Sequence, residues 1–326
     1  MKSKIYYQIC ILFLLIMINI YMKNLTAILR KEKKVKGDDL NSENENNFKG
    51  NSKKLYNNHT SKCFLISDEF INKIIHVVLT RFFVDFNEPI NFLKKIGQQH
   101  YLVNGIRVMK KYLFPSLENQ SCKQFIWILL LGDKANKTLI DNLLNFNYAF
   151  EYNIIYQKSL KEYLKNITKG ANILITTNID YDDIIYYDAI NDVRKAININ
   201  KPLVLYGYNR GVYYFEKNNK YYDFYSTYGN NGTMSIFISL ISVLYKVNGT
   251  YTIYDLWSHT KARSNLFKAY KSFGVDKLNY EPAIFDSGEP KFVYVRQAFS
   301  HSYNYIKRKL KDAKYINFNV TKIYGK

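Results

Sequence analysis

Asp180, Asp182 and Asp183 follow directly on the apolar run Ile173-Leu174-Ile175, within residues 172–184, NILITTNIDYDDI. A buried strand that delivers polar groups at its C-terminal end is how open α/β sheets build ligand sites. Carboxylate oxygens suit hard divalent cations such as Mg²⁺ or Mn²⁺, and a phosphate-bearing ligand can complete the coordination shell. The same residues also fit a simpler role as an acidic loop opening a helix, where capping and the helix dipole favour negative charge. The elements around them decide between the two.

Residues 73–80, KIIHVVLT, form a continuous apolar run of the kind found in fully buried strands. A helix is expected over 107–117, with Pro115 near its end, then a second buried strand over 124–132. A short amphipathic helix over 137–146, a strand over 152–156 and a weak helix over 160–164 lead to the acidic strand. Residues 184–198 then read as a helix, with Ile185, Ala189, Val193 and Ala196 at helical spacing. This alternation predicts an α/β fold with a doubly wound, mainly parallel sheet. Beyond Lys201 the aromatic runs 202–208, 211–215 and 221–225 predict an added antiparallel region. Residues 235–246 fit helix or strand, 253–270 a helix, and 291–297 a late strand.

The 326 residues, 47% hydrophobic and 17% aromatic, suffice for one sizeable core. A formal charge of +20 suits an anionic partner, although diffuse lysine enrichment also accounts for it. No compact basic motif with interleaved aromatics and no zinc-finger or RNA-recognition signature occurs, so no nucleic acid is expected. Of the three cysteines, Cys10 lies in an apolar N-terminal run, leaving Cys63 and Cys122 able to pair in a folded domain.

The N-terminus divides into a short tail (1–4), an uncharged apolar segment (5–22) and a polar stem (23–69). The apolar segment is near the minimum for a membrane span and long for a cleaved signal, which predicts a transmembrane signal-anchor. A single-pass, type II placement follows, in the secretory pathway if the source is eukaryotic. The greater density of basic residues after the segment argues the opposite orientation. The stem lacks hydrophobic periodicity and is expected to be disordered, with the folded region at 70–326. Sequons at Asn58, Asn119, Asn136, Asn166, Asn231, Asn248 and Asn319 support a lumenal site weakly in so asparagine-rich a chain.

Three segments resemble a rhamnosyltransferase family within the GT-A glycosyltransferases: LTRF at 79–82, YLFPSLENQSCKQFIWILLLGD at 112–133, and TTNIDYDDI at 176–184. The second is the most specific match. In the third, Asn178 stands where the family has arginine and Ile184 where it has alanine. A weaker fourth match is His301-x-x-Asn304. The resemblance covers about 72–305 and leaves out the anchor and stem.

The resemblance implies a metal-dependent transfer of a sugar from a nucleotide-sugar donor to a glycan, glycoconjugate or other hydroxyl acceptor. Asp180 and Asp182 would hold Mn²⁺ or Mg²⁺, Asp180 also touching the donor, with Asp183 orienting Asp182 or capping the next helix. His301 would complete the metal site, with His259 as its competitor. Thr80 and Arg81 would line the nucleotide pocket, Arg81 through phosphate or base. Asp255 is the candidate general base, against a helix-start role for the same residue, with Glu281 and Asp286 as alternatives. Tyr206, Tyr208, Tyr225 and Trp257 are candidate sugar-stacking rings. The competing readings are a catalytically inactive carbohydrate-binding scaffold of the same fold and a basic membrane-surface or nucleic-acid-binding protein.

Overall fold

The computed structural model describes residue 63 and residues 73–82, 98–133, 135, 140–141, 144, 148–225, 237–247, 249–256, 262–272, 283–286, 289–296 and 315–325. All of them fall within one compact unit, Thr60–Lys326. The predicted anchor at 5–22 lies outside the described residues, among which no helix is long and apolar enough to cross a membrane.

The strands of the larger sheet are β1 (Ile74–Phe82), β2 (Ile126–Leu131), β3 (Glu151–Tyr156), β4 (Ile173–Asn178), β6 (Leu203–Tyr208), β9 (Ile238–Val243) and β10 (Ala283–Asp286). Their order is β10-β6-β9-β4-β1-β2-β3. β4, β1, β2 and β3 run parallel, as do β6 and β10, and β9 is antiparallel to both β4 and β6. The run 202–208, expected in an added antiparallel region, is therefore part of this sheet. The ambiguous run 235–246 provides the reversed strand that joins its two parallel groups. Every described position of β4, β6 and β9 is buried, the mark of strands covered on both faces.

Helices cover both faces. One face packs against α1 (Gln98–Val108), a wider π-turn (Met109–Leu113), α2 (Phe114–Glu118) and α4 (Ala189–Lys195). The π-turn falls just before Pro115, which cannot donate to the carbonyl one turn back. The opposite face packs against α3 (Leu160–Ile167) and α5 (Ala262–Ser272) through Leu160, Leu164, Leu266 and Tyr270.

A second, five-stranded sheet has the order β12-β8-β7-β11-β5. It comprises β5 (Ile184–Ile185), β7 (Arg210–Phe215), β8 (Lys220–Tyr225), β11 (Phe292–Arg296) and β12 (Tyr315–Ile316). The helix expected over 184–198 starts only at Ala189, because Ile184 and Ile185 pair with Val293 and Phe292 across an antiparallel ladder. Tertiary pairing has overridden helical spacing there. Cys63, inside the predicted stem, is buried and joined by a disulfide to Cys122, so the folded unit begins earlier than residue 70.

Candidate functional site

The carboxylates emerge where β4 ends. Asp180 is half-buried, Asp182 nearly covered and Asp183 fully buried. Asp183 accepts from the backbone N–H of Val295 through Oδ1 (3.2 Å), while its Oδ2 has no hydrogen-bond partner. Burial lifts the Asp182 carboxyl to about 6; the Arg296 charge opposes the rise and Asp180 adds to it. Burial, with Asp182 beside it, holds Asp183 well above the usual carboxylate range. Burial works against the Arg296 charge, but Asp183 and Asp182 outweigh it and keep the guanidinium more firmly protonated than usual. The loop thus gathers several like charges against one near cation, a placement typical of functional sites.

The segment that matched most specifically holds this loop from beneath. Gln120 donates to the carbonyls of Ser116 (3.0 Å) and Tyr186 (2.8 Å) and accepts from Ile190 N–H (3.2 Å). Ser121 donates from its backbone to Tyr187 O (2.8 Å) and from its hydroxyl to Asp188, and Asn191 donates to both Ser121 Oγ and Asp188. These bonds tie the chain after α2 to the start of α4, fixing the C-terminal side of the acidic loop.

Thr80 and Arg81 do not act as a pair. Successive strand residues face opposite sides of a sheet. Thr80 is fully buried and its hydroxyl accepts from the Trp127 indole N–H (3.0 Å), so its side chain faces the core and not a nucleotide pocket. Arg81 faces the other side, its guanidinium 5.1 Å from the ring centre of Tyr254. Tyr254 donates to Asn178 Oδ1 (2.9 Å), and burial raises its hydroxyl pKa, opposed by Arg81 and reinforced by Asp180. Arg81, Asn178, Tyr254 and Asp180 are thereby gathered at the ends of β1 and β4.

Asp255 is a turn residue. Its Oδ2 accepts from Thr252 N–H (2.8 Å) and Thr252 Oγ1 (2.9 Å), which ties it back to the residue before the helical turn Ile253–Leu256. Its Oδ1 faces Lys161 at 3.3 Å. Both oxygens are committed, so the carboxylate is not placed as a free general base. His301, His259, Trp257 and Glu281 lie outside the described residues. Tyr206 and Tyr208 are core residues, the latter stacked on Phe237 with centroids 5.1 Å apart, and are closed to sugar stacking.

Arg296, Tyr254 and Tyr294 are the site residues that sequence reasoning missed. The signal was a basic residue closing the late strand over 291–297, legible only once that strand is paired beside the acidic loop.

Among the described residues, no group of three or more His, Cys, Asp or Glu side chains is arranged to hold a metal ion. The oxygen-only donors and the unpartnered Asp183 Oδ2 nonetheless fit a hard cation that takes its remaining ligands from a bound phosphate.

No protein-family model and no curated protein sequence matches the chain. Among solved structures, it is similar to one described as a nucleotide-diphospho-sugar transferase from Desulfovibrio desulfuricans G20 (9% identity, 73% of this chain and 88% of that one, TM-score 0.35). A second is described as a glucose-1-phosphate thymidylyltransferase from Bacillus anthracis (13%, 77% and 99%, TM-score 0.37). A third is TarS 1–349 from S. aureus (11%, 68% and 60%, TM-score 0.34). At TM-scores below 0.5 such likenesses decide nothing about this chain's chemistry, which rests on its own topology and site.

Proposed function

We propose that the chain is a metal-dependent glycosyltransferase, moving a sugar from a nucleotide-sugar donor to a hydroxyl of a glycan or glycoconjugate. The observation that carries this reading is the acidic loop at the C-terminal end of the central strand β4, with two of its carboxylates buried and the Arg296 cation acting on them. A parallel sheet collects ligand-binding groups at that edge.

Asp180 and Asp182 would hold Mn²⁺ or Mg²⁺, and His301 is a further proposed ligand. The cation, when bound, supplies Lewis-acid stabilisation of the charge that develops on the departing nucleoside diphosphate. Arg81, steadied by the Tyr254 ring, offers a planar fork to a donor phosphate. Asp183 orients the loop through its bond to Val295 N–H, and Gln120 and Ser121 keep that loop in register. The rhamnosyltransferase resemblance leaves the donor sugar open. The apolar segment 5–22 is proposed to anchor the chain to a membrane, and the Cys63–Cys122 disulfide favours an oxidising compartment.

The test is a nucleotide-sugar panel assayed for hydrolysis and transfer with and without Mn²⁺. Asp182→Ala is expected to lower transfer by about a hundredfold or more, in line with a cation contribution of several kcal/mol. Undiminished, metal-independent transfer by that variant contradicts the reading. A wild-type chain that binds glycans but no nucleotide points instead to a carbohydrate-binding scaffold.

A further inference from the structure

The second sheet brings one residue to the acidic loop whose surroundings are incomplete. β11 is fixed against the loop by the pairs Val293 with Ile184 and Phe292 with Ile185, and by Val295 N–H on Asp183. The residue that follows, Arg296, is therefore delivered beside Asp182 and Asp183, the carboxylates that act on its charge. Its orientation is set by aromatic rings: the guanidinium carbon lies 4.4 Å from the Tyr294 centroid and 5.7 Å from that of Tyr213. Nη1 donates to the carbonyl of Val295 (3.2 Å). Nε is buried and has no hydrogen-bond partner, and neither has the buried Asp183 Oδ2. A buried donor and a buried acceptor thus share one cluster without bonding to each other. Buried groups left unpaired are uncommon in folded proteins and mark places where an ion, water or ligand completes the set.

The geometry points to Arg296 as a ligand of the donor's diphosphate that doubles, before any nucleotide arrives, as the resident counter-cation of the acidic loop. This rests on the proposed nucleotide-sugar chemistry and adds a residue to it from the other sheet. A guanidinium held over two aromatic rings is ordered in advance and presents a fork suited to phosphate oxygens. Its charge has two opposite consequences at one site. It attracts the diphosphate, and it repels the divalent cation that Asp180 and Asp182 would hold. A residue that only braces the loop would affect both ligands in the same direction.

The experiment uses the full-length chain, titrated calorimetrically with UDP, GDP and dTDP at saturating Mn²⁺. Mn²⁺ binding without nucleotide is followed separately from the electron paramagnetic resonance signal of the free ion. Arg296→Gln is expected to weaken nucleoside diphosphate binding by about tenfold to a hundredfold, the scale of a charge-assisted contact, while Mn²⁺ alone binds at least as tightly as to the wild type. Arg296→Lys keeps the charge and loses the fork, so nucleotide binding falls less and Mn²⁺ binding is unchanged. Unchanged nucleotide binding in Arg296→Gln, or a parallel loss of nucleotide and Mn²⁺, overturns the inference. If Arg296→Gln does not fold, Arg296→Lys decides: wild-type nucleotide affinity overturns it and a selective nucleotide loss supports it. Wild-type chain that binds none of the three diphosphates removes the underlying nucleotide-sugar reading as well, which separates that failure from a failure of Arg296 alone.

Discussion

The two sheets are built from different materials and contribute different things. The larger is aliphatic where it meets the site: β4 and its neighbours β1 and β9 bury Val, Ile and Leu on both faces. The smaller depends on tyrosine, with Tyr213 stacked on Tyr294 (5.1 Å between centroids) and Tyr214 on Tyr221 (4.7 Å). The larger sheet supplies the carboxylates and Arg81, and the smaller supplies Arg296 and the N–H that fixes Asp183. Close packing on two faces specifies a backbone rigidly, whereas the rings packed around Arg296 place a charge. Damage to the first sheet should therefore appear as lost stability, and damage to the second as lost ligand binding.

Trp127→Ala is expected to have the largest effect. Trp127 is fully buried against Phe114 (5.3 Å) and Phe150 (6.3 Å), and its truncation also strands the Thr80 hydroxyl. A loss of about 3–5 kcal/mol in unfolding free energy, read by chemical denaturation, is predicted. A loss under about 1 kcal/mol would erase the contrast between the sheets.

Gly211→Ala is the counterpart in the smaller sheet. A Cβ there would lie 2.3–2.5 Å from atoms of the buried Phe292 ring, so that ring or β11 itself must shift, and a shift of β11 against β7 would carry Arg296 with it. Overpacking of this kind costs about 1–3 kcal/mol. Nucleoside diphosphate affinity, measured by calorimetry well below the melting temperature, should nevertheless fall. A full loss of folding with no separable binding defect would show the two sheets to be one structural unit.

The smallest effect expected is on pH dependence. His76 is buried in the larger sheet, its Nε2 2.8 Å from Thr177 Oγ1, which in turn is 2.6 Å from Ser239 Oγ. Burial, assisted by the Arg194 charge, holds the imidazole well below its ordinary value of 6.5. The unfolded chain then takes up the proton first, so His76 reduces stability as the pH falls below about 6.5. Asp182, raised to about 6, has the opposite sign and gains stability for the fold over a similar range. His76→Gln should isolate the first contribution: its melting temperature is expected to fall less than that of the wild type between pH 7 and pH 5. An equal or steeper fall excludes the histidine as the source.

The apolar runs that became β1, β2, β3 and β4 were legible in the sequence because strands buried on both faces are continuous and hydrophobic. The acidic loop was legible because it directly follows such a run. What could not be read was any consequence of pairing between distant segments. Ile184 and Ile185 fall within the expected helix and yet join β11, more than 100 residues away in sequence, and Arg296 gains its meaning only through that pairing. Thr80 and Arg81 were expected to act together, although the alternation of a strand sends them to opposite faces. Asp255 was the mirror case, an acid near the site whose oxygens a neighbouring threonine and Lys161 already occupy.

The central claim is that Asp182 helps to hold a cation through which a nucleotide binds. Its most direct test is calorimetric titration of wild type and Asp182→Asn with UDP, GDP and dTDP, each with and without Mn²⁺. The predicted result is that at least one diphosphate binds the wild type only when Mn²⁺ is present, and that Asp182→Asn loses this binding without a lower melting temperature. Nucleotide binding that is indifferent to Mn²⁺, or that survives intact in Asp182→Asn, would contradict it.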